Sequence, residues 1–228
     1  PEALRFGGQD FPVKISRHPR AKRISLRYDA HRRTICLTLP KRAPLRSAMT
    51  FLHEKKSWLA DQINKHPQPV AFEAGAMIPV FGVPHKLEHI EASRGEVRCE
   101  NGVLSIPAPA GLLAVRTERW LKAKARETIL EAAAPMAEKL EARFKRISVR
   151  DTSSRWGSCS RDGNLSFCWR LIFAPRDMLI YVVAHEVAHL KAMHHGPEFW
   201  AEVAKIYPDY ERARKWLHEH AGELQRYG

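Results

Sequence analysis

The chain has 228 residues, with 38 Lys and Arg against 25 Asp and Glu, for a formal charge of +13. Hydrophobic residues make up 44% and charged residues 28%, enough apolar side chain for a sizeable core, which excludes disorder, collagen and coiled coil for the bulk of the chain. No run approaches the roughly 18 apolar residues of a membrane span, and the opening PEALRFGGQDF lacks the pattern of a secretory signal. The expectation is a soluble, cytoplasmic protein with no membrane partner, and Pro1 in first place points to a missing true start. Cys36, Cys99, Cys159 and Cys168 show no CxxC spacing and are read as reduced, mostly buried thiols.

The charge is uneven. Residues 1 to 56 hold 14 Lys and Arg against 4 acids, so this first quarter carries +10 of the +13. Within it Ile15, then Ile24, Leu26 and Tyr28, then Ile35, Leu37 and Leu39 recur at a period of two, which predicts half-buried strands. A turn at Asp29-Ala30-His31 would make an antiparallel pair with one apolar face and one face lined by Arg23, Arg27 and Arg33. Such a face is either a solvated edge whose cations block strand-to-strand aggregation or a patch for phosphate or nucleic acid.

Arg46 to His66 reads as a helix ending at Pro67. Short strands follow at 77–83, 86–90, 97–99 and 103–106, punctuated by Gly75, Gly82, Gly95, Gly102 and Pro107. Leu113 to Phe144 is helical, with Pro135 expected to kink or divide it. The Pro/Ala/Gly stretch at 107–112 is the linker candidate. The expected organisation is α+β, with a basic β-rich region over 1–111 and a mainly helical metal domain with a small antiparallel sheet over 112–228.

Residues 175–192, PRDMLIYVVAHEVAHLKA, are almost wholly apolar. Pro175 suits a first helical position and Asp177 the first turn, so this helix is expected to run through the core. It nevertheless carries His185, Glu186 and His189 in the order H-E-x-x-H, and polar side chains on a buried helix are costly unless something satisfies them. Histidines four apart lie on one helix face and converge on one ion. Glu186 then stands beside the metal without ligating it, placed to take a proton from water. Three protein ligands and one open position is the arrangement of a catalytic zinc site. His194-His195-Gly196-Pro197 is expected to end the helix. His195 follows His189 by six residues, the interval of H-E-x-x-H-x-x-G-x-x-H enzymes, with Ala192 in place of their glycine. His194, Glu198 and Glu202 are the rival third ligands.

Ahead of this helix, 147–149 and 164–167 read as the two strands of a hairpin around a turn-rich loop, an edge able to pair with an extended peptide. Trp156 and Trp169 are read as packing aromatics, and Arg155 as either structural or solvated, or an oxyanion or phosphate contact. Beyond the helix, 197–206 and 208–220 read as two short helices. Phe199, Trp200, Val203 and Trp216 should pack on the metal helix, and His218 and His220 should be solvated.

The run from 147 to 216 resembles the YgjP-like family of zinc metallohydrolases, related to the SprT-like and WLM metallopeptidases. The matching residues are R-W-G-S-C-S at 155–160, W-R-L at 169–171, the HExxH at 185–189 and H-H-G-x-x-F-W ending at Phe199 and Trp200. The resemblance implies His185, His189 and His195 as zinc ligands and Glu186 as general base. Metal-assisted hydrolysis is then the expected reaction, with a peptide or protein as the first substrate class. SprT-like relatives act on proteins attached to DNA, which the basic N-terminal region would suit. The resemblance to YgjP itself implies a second activity, hydrolysis of a nucleoside triphosphate, with UTP favoured. A nucleic-acid-binding protein with incidental zinc is the third reading. The sequence gives no oligomeric state.

Overall fold

The structure is a computed structural model that describes residues 3–29, 32–64 and 68–228. Pro1, the turn expected at Ala30 and His31, and the helix end expected at His66 and Pro67 lie outside the described residues. The fold is α+β, and the chain divides into two compact units, Pro1–Pro69 and Val70–Gly228.

In the first unit, strands β1 (Ala3–Phe6), β2 (Gln9–His18), β3 (Ser25–Asp29) and β4 (Thr34–Pro40) form a sheet of order β1-β2-β4-β3. The period-two pattern has its expected consequence: Ile35, Leu37 and Leu39 are fully buried, and β3 pairs antiparallel to β4 with Leu26 opposite Leu37 and Tyr28 opposite Ile35. Arg33 does not join a solvated cationic face. At φ 47° it folds back, its guanidinium 4.9 Å from the Phe11 ring centroid and hydrogen-bonded to Gln9 and Gln68. The single helix expected over 46–66 is two, α1 (Leu45–Glu54) and α2 (Lys56–Asn64). The polar run His53 to Lys56 interrupts the apolar stripe there, while Leu52 and Leu59 on either side are both fully buried in the same small core.

The second unit begins with β5 (Met77–Val80), β6 (Val83–Glu91), β7 (Arg98–Glu100) and β8 (Val103–Ala108), ordered β5-β6-β8-β7. Two-residue turns join β5 to β6 and β7 to β8. Phe81-Gly82 (φ 52° and 78°) and Asn101-Gly102 (φ 52° and 72°) both take the left-handed pair of conformations that suits a tight hairpin. The long helix α3 (Leu113–Lys139) follows.

The boundary expected between 111 and 112 falls inside this unit. Leu104, Ile106 and Ala108 of β8 share one core with Leu121, Ala125 and Ile129 of α3. Arg116 also reaches back from α3 to donate to the carbonyls of Pro107 (2.6 Å) and Ser93 (2.7 Å). A Pro/Ala/Gly stretch so tied is a corner, not a linker. Nor does Pro135 divide α3, which runs on to Lys139. Pro135 and Glu131, four residues earlier, are both exposed, so the carbonyl that proline leaves without a donor can meet water.

Next come β9 (Arg146–Arg150), β10 (Gly157–Cys159) and β11 (Asn164–Cys168), in the order β10-β11-β9. Here the expected hairpin is corrected. The strands at 147–149 and 164–167 pair parallel, Ile147 opposite Leu165, and the antiparallel partner of β11 is β10. The 13 residues between β9 and β11 are enough for a crossover, and they spend three of them on an additional edge strand.

A 3₁₀ turn (Trp169–Phe173) leads into α4 (Arg176–Ala188), and α5 (Pro197–Ile206) and α6 (Tyr210–Leu224) close the unit. Leu179, Val183, Ala184, Val187 and Ala188 of α4 are completely buried, each worth up to about 1.5–3 kcal/mol for the larger side chains. The start of α4 is pinned by the β5–β6 turn: Phe81 N–H donates to Ile172 O at 2.7 Å, and a side chain at Gly82 would meet Pro175 at 3.1 Å. No helix among the described residues is long and apolar enough to cross a membrane.

Candidate metal centre

Pro175 takes the cap position of α4 rather than its first helical one, with extended backbone (φ −50°, ψ 143°). The helix ends at Ala188, earlier than the expected stop at His194. It ends by tightening: Leu190 N–H donates to Val187 O and Lys191 N–H to Ala188 O, both 3.0 Å and both three residues back. His189 therefore stands at the helix terminus, and the chain is free to reverse.

That reversal brings His195 back over the helix. One ring nitrogen each from His185, His189 and His195 lie within 4.8 Å of one another. Nε2 of His195 is 3.0 Å from Nε2 of His185. Nδ1 of His189 lies 3.0 Å from the carbonyl of Ala192, to which it donates, leaving Nε2 as the lone-pair nitrogen. Ala192, where related motifs have glycine, thus supplies the group that orients His189. His194 is exposed and outside the cluster, as is Glu198, and Glu202 pairs with Lys205 at 2.6 Å. Of the rivals for third position, only His195 is brought to the other two.

Phe199 is the floor of the cluster. Fully buried, its ring lies 4.4 Å from that of His189, 4.7 Å from His195 and 4.8 Å from His185. Burial, followed by the neighbouring His189 and His195, pushes His185 down to about 3, and burial also lowers His189. Both are therefore neutral imidazoles at pH 7, the state a metal requires. The Nε2 atoms of His185 and His195 face each other at 3.0 Å, and the buried Nδ1 of His185 has no partner among the described residues, so the cluster is costly to bury as it stands. A divalent cation between the nitrogens gives the lone pairs a partner, so the residues fit a metal ion.

Glu186 is 5% exposed, and burial pushes its carboxyl up to about 8, with Arg155 pulling the other way. It faces β10, where Gly157 leaves it room. Together with Trp156, Gly157, Tyr181 and His185 it lines a cavity of about 850 Å³ whose far wall is α6. Cys159, also on β10, is pushed up to about 11 by burial and then by Glu186, so it is a neutral thiol. Cys168 is buried and donates to Thr152 O, a packing role. Trp169 is core, whereas Trp156 is half-buried and borders the cavity. His220 stacks on Trp216 at 4.2 Å rather than standing in solvent. Sequence reasoning missed Gly157 and Arg214; the R-W-G run was a signal for the first, and nothing local singled out the second.

A buried helix carrying His-Glu-x-x-His, with a third imidazole returned to it by the following loop, places the second unit among metal-dependent hydrolases of the metallopeptidase kind. The family model described as "YgjP-like, metallopeptidase domain" matches residues 22–220, and the chain belongs to that family. Among solved structures, the crystal structure of the metallopeptidase zymogen of Pyrococcus abyssi abylysin is similar at 24% identity and a TM-score of 0.36, covering 45% of this chain and 97% of that one. No curated protein matches the chain.

Proposed function

We propose that the chain is a zinc-dependent peptidase in which His185, His189 and His195 hold the ion and Glu186 is the general base. The observation that carries this reading is the convergence of three ring nitrogens within 4.8 Å beside a carboxyl that is 5% exposed. When bound, zinc supplies Lewis acidity, polarising a carbonyl and lowering the pKa of water. The chain supplies the rest. Burial pushes the Glu186 carboxyl up to about 8 in the metal-free protein, and beside a dication that carboxyl returns toward the carboxylate form that accepts a proton from water. Its Oε atoms take the proton from water and deliver it to the leaving amine. Phe199, fully buried with its ring against all three imidazoles, covers the cluster on its own side and excludes water there. Strand β10 is an edge of its sheet, so its outer main-chain groups can pair with an extended peptide and lay it across Glu186.

A nucleoside triphosphate is the second substrate class, favoured by Arg214 and Lys215 in the cavity wall. The test is zinc-loaded wild type and Glu186→Gln, each with a measured metal content, on an unfolded protein and on UTP. Cleavage of the protein by wild type, reduced at least about a hundredfold in Glu186→Gln at equal zinc, is expected. One zinc per chain with UTP hydrolysed and no peptide bond cut would replace the peptidase reading by the nucleotide one.

A further inference from the structure

The cavity beside Glu186 has two kinds of wall. Trp156, Val182 and Leu217 make an apolar floor, and the exposed turn of α6 that faces the HExxH helix presents Arg214 and Lys215. At about 850 Å³ it has the size of a site for a whole side chain or small ligand, well beyond what one water molecule in a proton relay needs.

The two cations are not equivalent. Lys215 has Glu219 at 4.0 Å on its own helix, and a flexible ammonium so paired is of little directional use. Arg214 has no carboxylate within 4.0 Å among the described residues, although Glu211 borders the same cavity one turn earlier. Its guanidinium lies 5.1 Å from the centroid of Trp200. Trp200 in turn stacks on Tyr210 at 5.0 Å and 20°. A planar cation held on an aromatic stack is already ordered, so little side-chain entropy is lost when it forms a two-pronged bond to an oxyanion. Trp200 is also 5.9 Å from the His185 ring and 6.1 Å from that of His195. The stack that fixes Arg214 is thus built on the same two imidazoles that close the metal cluster.

We propose that Arg214, ordered by Trp200, is the recognition group of a substrate pocket next to the reacting centre that takes an anionic group, a carboxylate of a peptide or a phosphate of a nucleotide. With peptide substrates this makes the protein selective for an acidic residue adjacent to the bond that is cut. The pocket's apolar floor takes the methylenes of the side chain and Arg214 takes its carboxylate. The inference deepens the peptidase reading and rests on it for the position of the scissile bond, but the anion site itself can be measured without catalysis.

Binding is measured on the zinc-loaded Glu186→Gln protein by fluorescence anisotropy, using a set of labelled peptides in which one position at a time is Glu or its Gln counterpart, and by competition with UTP. At one position the Glu peptide is expected to bind about tenfold more tightly than the Gln peptide. That ratio should shrink as salt is raised and collapse to near one in Glu186→Gln/Arg214→Met. Equal binding of Glu and Gln peptides at every position, with UTP failing to compete, would overturn the proposal. So would a preference that Arg214→Met leaves intact. The salt dependence in the Arg214-intact protein decides the matter if the methionine variant does not fold. UTP binding that depends on Arg214, with no Glu preference, identifies phosphate as the source of the anion. Separately, wild-type hydrolysis of peptides tests the peptidase reading: peptides cut without an acidic preference, together with UTP failing to compete, sink the pocket and spare the reading, whereas Arg214-dependent anion binding with no peptide cut does the reverse.

Discussion

A methyl group placed on Gly157 would lie 2.5 Å from Oε1 of Glu186 and 2.6 Å from its Cγ. Gly157 does not have the positive φ at which glycine is favoured for its backbone, so what it contributes is space: the edge strand passes directly over the carboxyl because no side chain intervenes. Gly157→Ala is therefore expected to displace Glu186, lowering kcat by about two orders of magnitude and stability by about 1–3 kcal/mol. Zinc content should stay at the wild-type level, since no histidine is touched. Wild-type kcat in a protein with this substitution would show that Glu186 works from some other position.

The metal-free protein should have a pH profile of stability set by opposing groups. His185 sits at about 3 when folded against 6.5 unfolded, so its contribution is complete above 6.5 and is lost as pH falls toward 3. Glu186 is the reverse: at about 8 folded against 4.5 unfolded, its contribution is complete below 4.5 and is lost as pH rises through 8. The two slopes oppose each other between 4.5 and 6.5, and stability then declines from 6.5 to about 8. Urea unfolding of chelated wild type and Glu186→Gln across this range checks it. The decline should be absent in the glutamine variant, and zinc should raise the melting temperature of both in proportion to the logarithm of its concentration over Kd.

His195 and His194 are adjacent, yet only one joins the cluster. His195→Ala should weaken zinc binding at least about a hundredfold, and His194→Ala should leave it near wild type. Competition with a chromophoric chelator separates them. Comparable losses in both variants would mean that the loop before α5 can present either ring.

Arg170, 2% exposed, donates from Nε to Asp151 at 2.8 Å and also bonds the carbonyl of Tyr227. Asp151→Asn removes the charge facing a buried guanidinium and should cost about 2 kcal/mol, read as a lower urea midpoint with an unchanged slope. Because Asp151 is itself 39% exposed, an effect above about 5 kcal/mol would not be explained by this pair.

What the sequence determined by itself was whatever depends on neighbours a few positions away. The apolar frame around His185, Glu186 and His189 makes a buried helix by its own composition, and spacing by four puts both imidazoles on one face. The alternation Ile35, Leu37, Leu39 likewise makes a strand wherever it is placed. Tertiary structure decided everything that joins distant segments. The parallel pairing of Ile147 with Leu165, the edge position of β10, the burial of Ala108 in one core with α3 and the approach of Gly157 to Glu186 all depend on which surfaces meet. Local pattern carries no record of that. Arg214 is the clearest case: along the chain it is one cation among several on a polar helix, and it gains a distinct place only because Trp200 and the cavity beside Glu186 are brought against it.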